Sequence, residues 1–233
     1  MNHKLQELAD TTAYAGIPTA AFATFEAACG LRLPSDYKEF LAWSNGLSAY
    51  AGYYRLFGWK PAAGIDAVLW NQHEYWKFAW EEQCVGFWCF GESAWGDQYA
   101  YSVQSLVEQA AVPVYWLDAF TMSPELIAES FAEFIEQEFI PEAQDPTDEM
   151  IRHAREKLGP LGAARHLAYV PSLLLGGPET IDHIVTMDAR AAMICNGDIA
   201  MQLNAIENGS VRGVSTYQDS LGRTRLRLDW AED

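Results

Sequence analysis

Hydrophobic positions change their spacing twice along the chain. Near the start, Phe22, Phe25 and Ala28 recur at helical intervals and predict a helix over 19–29. A second helix follows Leu33-Pro34, with Tyr37, Phe40, Leu41 and Ser44 in helical register. Pro34 suits a first turn, where its missing N–H is not needed. Asn45-Gly46 supplies a stop that can adopt left-handed backbone. From 53 to 117 the period shortens. The segments 53–57, 86–90, 98–101 and 113–117 are aromatic or β-branched runs split by glycine-containing turns, and they predict strands. Residues 68–80 fit a strand followed by a helix or loop.

Helical spacing then returns. Ser123, Pro124 and Glu125 read as an N-cap, a first-turn proline and a favourably placed acid, predicting a helix through 136. On that helix Ile127, Phe131, Phe134 and Ile135 share one side, and Glu125, Glu129, Glu133 and Glu136 share the other. Residues 141–148 hold two prolines and no apolar period, which marks a boundary. Beyond it, 147–158 predicts a helix closed by Gly159-Pro160. The apolar run 167–175 is broken by Pro171 and ended by Gly176-Gly177-Pro178, and 181–187 and 199–203 suit strands or short helices. The chain closes with a β-hairpin, 211–217 and 223–230. On its second strand Thr224, Leu226, Leu228 and Trp230 share one face, and Arg223, Arg225 and Arg227 the other. The expected architecture is α+β in two unequal parts, 1–142 and 143–233.

Composition narrows the function. Half of the 233 residues are hydrophobic, 13% are aromatic and nine are Trp, which excludes a disordered acidic tail. The formal net charge is −17, with six bases and nineteen acids in 1–142 and nine and thirteen in 143–233. No Lys or Arg lies between Lys77 and Arg152. Such a surface repels phosphate, so nucleic acid is excluded as a partner and a basic protein is favoured. The N-terminus lacks the apolar core of a secretory signal, and no apolar run reaches the roughly 20 residues of a membrane span. The four cysteines (Cys29, Cys84, Cys89, Cys195) are few and scattered, matching reduced thiols in the cytoplasm.

Catalytic patterns are missing. Asn71-Gln72-His73-Glu74-Tyr75-Trp76 begins like a zinc-protease helix but has no second His at the required offset. Gly159-Pro160-Leu161-Gly162 and Leu175-Gly176-Gly177-Pro178 lack the Lys and Ser/Thr of a phosphate loop, and no Gly-x-Ser-x-Gly elbow occurs. His166 lies beside Arg165, which discourages its protonation. No catalytic residue, cofactor site or metal ligand is assigned from the sequence. A carboxylate pair for hydrolysis stays open, because acids are so abundant.

Two stretches resemble known families. Residues 31–41, Leu-Arg-Leu-Pro-Ser-Asp-Tyr-Lys-Glu-Phe-Leu, leading to Ser44-Asn45-Gly46, resemble the opening helix of the SUKH superfamily. Gly91-Glu92-Ser93-Ala94-Trp95-Gly96-Asp97-Gln98-Tyr99 is similar to its Gly-Asp strand turn. The strand at 114–116 and the segment 130–135 follow in that superfamily's order, so the likeness covers roughly 18–140. Residues 169–177 and 194–200 are similar to the C-terminal domain of immunity proteins against type VI secretion DNase effectors, over roughly 155–205. The SUKH resemblance implies a twisted, mainly antiparallel sheet with packed helices, followed here by a smaller α/β extension.

Both resemblances imply a bacterial immunity protein that binds and silences a cognate toxin. The superfamily also contains regulators, so a scaffold without a toxin partner is the alternative. Asn45, Gly46, Gly96, Asp97, Tyr99 and Trp116 are expected to be structural. The acidic run 118–149, with ten acids and no base, is the expected contact surface for a basic toxin, with Glu125, Glu129, Glu133 and Glu136 projecting from one helix face and Trp95 as the next candidate.

Overall fold

The structure is a computed structural model describing residues 2–108, 112–206 and 209–231. Seven strands run as one antiparallel meander in chain order: β1 (Thr12–Ala13), β2 (Leu47–Ala49), β3 (Tyr54–Leu56), β4 (Phe87–Ser93), β5 (Gln98–Ser102), β6 (Val114–Leu117) and β7 (Pro124–Ala128). The helices are α1 (Asn2–Gln6), α2 (Phe22–Cys29), α3 (Ser35–Trp43), α4 (Ala67–Trp70), α5 (Val103–Glu108), α6 (Phe131–Phe134), α7 (Ile140–Gln144), α8 (Glu149–Leu158) and α9 (Ala189–Asn204). Two further antiparallel pairs complete the α+β chain: β8 (Arg165–Tyr169) with β9 (Ile184–Asp188), and the hairpin β10 (Val211–Gln218) with β11 (Thr224–Trp230).

The central strands are buried on both faces, which is why the sequence reads there as continuous aromatic runs rather than as alternation. One face packs on α3 and α6. Tyr37 on α3 is fully buried, with its ring 5.5 Å from Phe90 and 5.1 Å from Phe131, and its hydroxyl donates to the Phe57 carbonyl at 3.1 Å. The other face is covered by the aromatic segment 70–80 and by the second part of the chain. There the Trp70 indole N–H donates to Gln98 Oε1 at 2.7 Å, and the Trp80 indole N–H to the Met193 carbonyl at 2.9 Å.

A β-bulge between Cys89 and Gly91 reverses the alternation of β4. It turns Phe90 toward the helices and Glu92 toward the opposite face. Gly91 is required there, since a Cβ would lie 2.6 Å from the Arg55 carbonyl oxygen. Glu92 is fully buried and lies between the Arg55 guanidinium at 2.9 Å and the His166 ring, with Nε2 at 3.0 Å. Arg55 also donates to the Arg165 carbonyl at 2.7 Å, so β3, β4 and β8 meet at one buried charge cluster. Burial by itself would raise the Glu92 carboxyl, but Arg55 and then His166 hold it below the ordinary carboxylate range. One contiguous apolar cluster spans both parts, with Leu167, Tyr169, Ile184, Ala189 and Met193 joining the side chains of the sheet.

Several expected elements differ. Residues 68–80 contain α4, a turn and a 3₁₀ segment (Lys77–Trp80) rather than a strand, because Asp66 caps α4 by accepting from the Val68 and Leu69 amides. The predicted helix over 123–136 is a strand followed by a helix. Pro124–Ala128 completes the sheet edge against β6, and the working N-cap is Ser130, which accepts from the Glu133 amide at 3.2 Å. A π-helical turn, Ile135–Phe139, then joins α6 to α7. Phe134 and Phe139 are both buried five positions apart, a spacing that the wider turn accommodates. The short runs around 199–203 belong to the 16-residue α9. Cys84 precedes β4, so it shares no strand with Cys89, and all four cysteines are free.

Replacing Glu92 with Gln leaves Arg55 buried without its counter-ion. The expected cost is about 3–5 kcal/mol, measured by urea unfolding. The sign with pH follows from the depressed carboxyl. Its contribution is full above the unfolded value of about 4.3 and is lost as pH falls through the lower folded value. The variant should therefore lose less stability than the native chain on acidification. An unchanged midpoint and acid limb would remove the cluster from its structural role.

Candidate partner-binding cleft

The turn from β4 to β5 builds the floor of a cleft of about 370 Å³. Gly96 makes the turn with φ +94°, and a Cβ at this position would sit 2.8 Å from the His166 ring. The residue therefore serves both turn geometry and packing on the second part. Asp97 accepts from the Ser93 hydroxyl at 2.6 Å and the Ala119 amide at 2.8 Å, tying the turn to the segment after β6. Tyr99 and Trp116 face each other across β5 and β6, and Glu125 lies opposite Trp116 on β7.

The other wall comes from the helices. Glu138 in the π-helical turn, Glu142 on α7 and Asp148 at the cap of α8 line it together with Tyr54 and Ile151. Glu142 accepts from the Tyr54 hydroxyl at 3.0 Å and the Thr147 hydroxyl at 2.7 Å. Asp148 accepts from the Met150 amide and from the Trp95 indole N–H, both at 2.7 Å. The Trp95 ring stacks on Tyr169 with centroids 4.9 Å apart and planes at 9°. Five carboxylates and four aromatic side chains thus line the cleft without a Lys, Arg or His.

That crowding is visible in the acids themselves. Burial pushes the Asp97 carboxyl from its ordinary 3.8 up to about 6, with Asp118 and Asp148 adding to the shift and the two hydrogen bonds opposing it. Glu138 is raised by burial and then by its neighbours Glu142 and Glu125. Among the described residues, no group of three or more His, Cys, Asp or Glu side chains is arranged to hold a metal ion.

Of the residues singled out from sequence, Trp95, Asp97, Tyr99, Trp116 and Glu125 meet in this cleft, and Gly96 backs it. The rest lie elsewhere. Asn45 fastens a different loop, donating to the Trp59 carbonyl at 2.9 Å and accepting its amide at 2.7 Å. Gly46 beside it has φ +92°. The four glutamates do not share a helix face. Glu125 is on a strand, Glu129 precedes α6, Glu133 accepts the Glu129 amide at 2.9 Å, and Glu136 lies 3.2 Å from Lys4. Glu138, Glu142 and Asp148 fall inside the acidic run 118–149 expected to meet a partner, but the sequence does not single them out within it. Only Asp148 carried a local signal, as an N-cap residue ahead of a helical period.

A protein-family model described as the SMI1 / KNR4 family (SUKH-1) matches residues 16–137. The chain belongs to this family. The SUKH-1 match takes in the sheet side of the cleft, from Tyr54 to Glu125, and ends just before Glu138, Glu142 and Asp148 complete it. No curated protein sequence matches the chain. Among solved structures, the crystal structure of Atu4351 from Agrobacterium tumefaciens superposes with a TM-score of 0.55. It has 14% sequence identity, over 98% of this chain and 97% of that one. At that identity the likeness shows the fold, and it extends across both parts of this SUKH-1 chain.

Asp97 provides a test of the cleft's electrostatics. Its folded carboxyl titrates above the unfolded one, so its contribution to stability is full below the unfolded value and is lost as pH rises through about 6. Asp97→Asn keeps an acceptor for the Ala119 amide. Melting temperature against pH should show the variant gaining on the native chain between pH 4 and 7. Parallel curves would mean that Asp97 is not strained by ionisation.

Proposed function

We propose that this SUKH-1 chain is a bacterial immunity protein that neutralises a cognate toxin by forming a stoichiometric complex. The observation that carries the reading is the base-free acidic and aromatic cleft in a chain of net charge −17. In this reading the toxin presents a basic surface, such as a nuclease uses to hold phosphate, and the complex forms in the cytoplasm. Long-range attraction steers the encounter, and an Arg or Lys entering the cleft exchanges water for carboxylates and aromatic faces. Residues 1–142 supply most of the contact surface, and 143–233 complete it with Thr147, Asp148 and Ile151. The likeness of the C-terminal part to type VI immunity domains fits a toxin delivered by that route. No step in this reading is catalytic, and no cofactor enters it. Among the described residues, no helix is long and apolar enough to cross a membrane.

The reading predicts a large secreted toxin encoded beside this gene, and it is tested with that toxin; its absence would favour a regulatory scaffold. Co-expression should protect cells from that toxin, and the purified pair should elute as a complex of fixed stoichiometry. Failure of both, with a folded chain and an active toxin, would favour a regulatory scaffold instead.

Neutralising two unshared carboxylates, Glu125→Gln with Glu138→Gln, should slow association about tenfold at low salt and flatten its dependence on ionic strength. Glu129→Gln, placed outside the cleft, should change the rate by less than the spread between preparations. Equal slowing by both variants would assign the effect to net charge rather than to the cleft.

A further inference from the structure

The C-terminal hairpin has one closed edge and one open one. On β11, the Leu226 amide donates to Asp198 Oδ2 at 2.7 Å and the Leu228 amide to Gln202 Oε1 at 3.0 Å. The Gln202 side-chain amide donates to the Leu226 carbonyl at 3.0 Å. Side chains of α9 therefore occupy the outer edge of β11. Leu226 and Leu228 point away from β10, so their cross-strand partners Thr216 and Val214 point away from β11. No hydrogen bond within the described residues takes up the Val214 or Thr216 backbone groups, and the Val214 side chain is 45% exposed.

The usual protection of a sheet edge is confined here to one end of β10, where Arg212 sits at a bulge between Val211 and Gly213. The free edge of β7 begins with a proline and carries Glu125, and β1 is only two residues long. From Gly213 to Gln218, β10 has neither a charge nor a proline.

The edge is also complementary to itself. An antiparallel copy placed with Ser215 opposite its own equivalent sets Val214 against Thr216 twice and Gly213 against Tyr217 twice. The first is a pair of β-branched side chains on one face, each presenting outward backbone groups to the other. The second lays an aromatic ring over a glycine. Gly213 has room for it, because a Cβ there would meet only Asp229 Oδ2, at 3.5 Å. No like charges face each other in this register.

We propose that β10 pairs antiparallel with β10 of a second copy of the chain, about a two-fold axis at Ser215. The dimer joins the two hairpins into a four-stranded sheet through four backbone hydrogen bonds at Val214 and Thr216. It leaves the acidic cleft of each protomer untouched.

Sedimentation of the full chain across the micromolar range tests the pairing. The native chain should approach twice the monomer mass. Thr216→Pro removes an outward N–H and costs no internal bond, and it should sediment as a folded monomer. Val214→Lys should do the same by placing a charge at the new strand pair. The register is tested by oxidation. Ser215 would form a non-hydrogen-bonded pair with its equivalent, about 4.5 Å between Cα atoms, within reach of a disulfide. Ser215→Cys should therefore yield a covalent dimer that the native chain does not, and Val214→Cys should not. A native monomer throughout the range overturns the proposal, as does a dimer unaffected by both edge substitutions. Cross-linking at Val214→Cys in place of Ser215→Cys overturns the stated register.

Discussion

A single buried carboxylate sets the arrangement of this chain. Glu92 lies in the middle of the sheet with Arg55 beside it and His166 above it, all withdrawn from water. An isolated charge at that depth would be prohibitive, so the pairing is obligatory once Glu92 is buried. Several otherwise separate features follow from it. The bulge in β4 turns Glu92 away from the helices, and Gly91 lets the bulged backbone approach β3. Gly96 leaves space for the His166 ring. Because His166 is on β8, the cluster also holds the second part of the chain against the sheet.

With that face closed, the opposite side of the same β4–β5 turn is free to form the cleft. Its acids are held by the fold rather than by mutual attraction. Ser93 and Ala119 fix Asp97, Tyr54 and Thr147 fix Glu142, and Trp95 and Met150 fix Asp148. Burial, and then repulsion between carboxylates gathered this way, makes Asp97 and Glu138 resist ionisation. A partner's base would relieve that repulsion on binding. Under the proposed function, stability and recognition pull in opposite directions at this one place.

The basic strip of the C-terminal strand has the opposite character. Arg223 donates to Asp219 at 2.6 Å and stacks on Phe78, and Arg225 pairs with the buried Asp198. These arginines fasten the hairpin to the body of the protein. Asp198 is used twice, once for Arg225 and once for the Leu226 backbone. The hairpin consequently packs by its β11 edge and leaves β10 outermost.

Local pattern was sufficient where an element is stabilised by its own residues. Helices α2 and α3 and strands β3 to β6 follow from spacing, the Pro34 start and the glycine turns. The Gly96-Asp97 and Tyr99 motif correctly marked the turn that carries the cleft. The pattern failed where a distant partner decides. Ser123-Pro124-Glu125 has every local feature of a helix start, yet β6 needed a neighbour, and cross-strand pairing with Trp116 and Leu117 drew that segment into the sheet. The apparent stripe of four glutamates dissolved with it. Within the acidic run 118–149 the cleft's second wall could not be picked out, for a related reason: Glu138, Glu142 and Asp148 reach the cleft only because a π-helical turn and α7 fold back over the sheet. Composition alone determined a packed, acidic, aromatic-rich chain. Which acids would be brought together was decided by tertiary structure, because a carboxylate's role depends on its neighbours in space, and those neighbours lie tens of residues away along the chain.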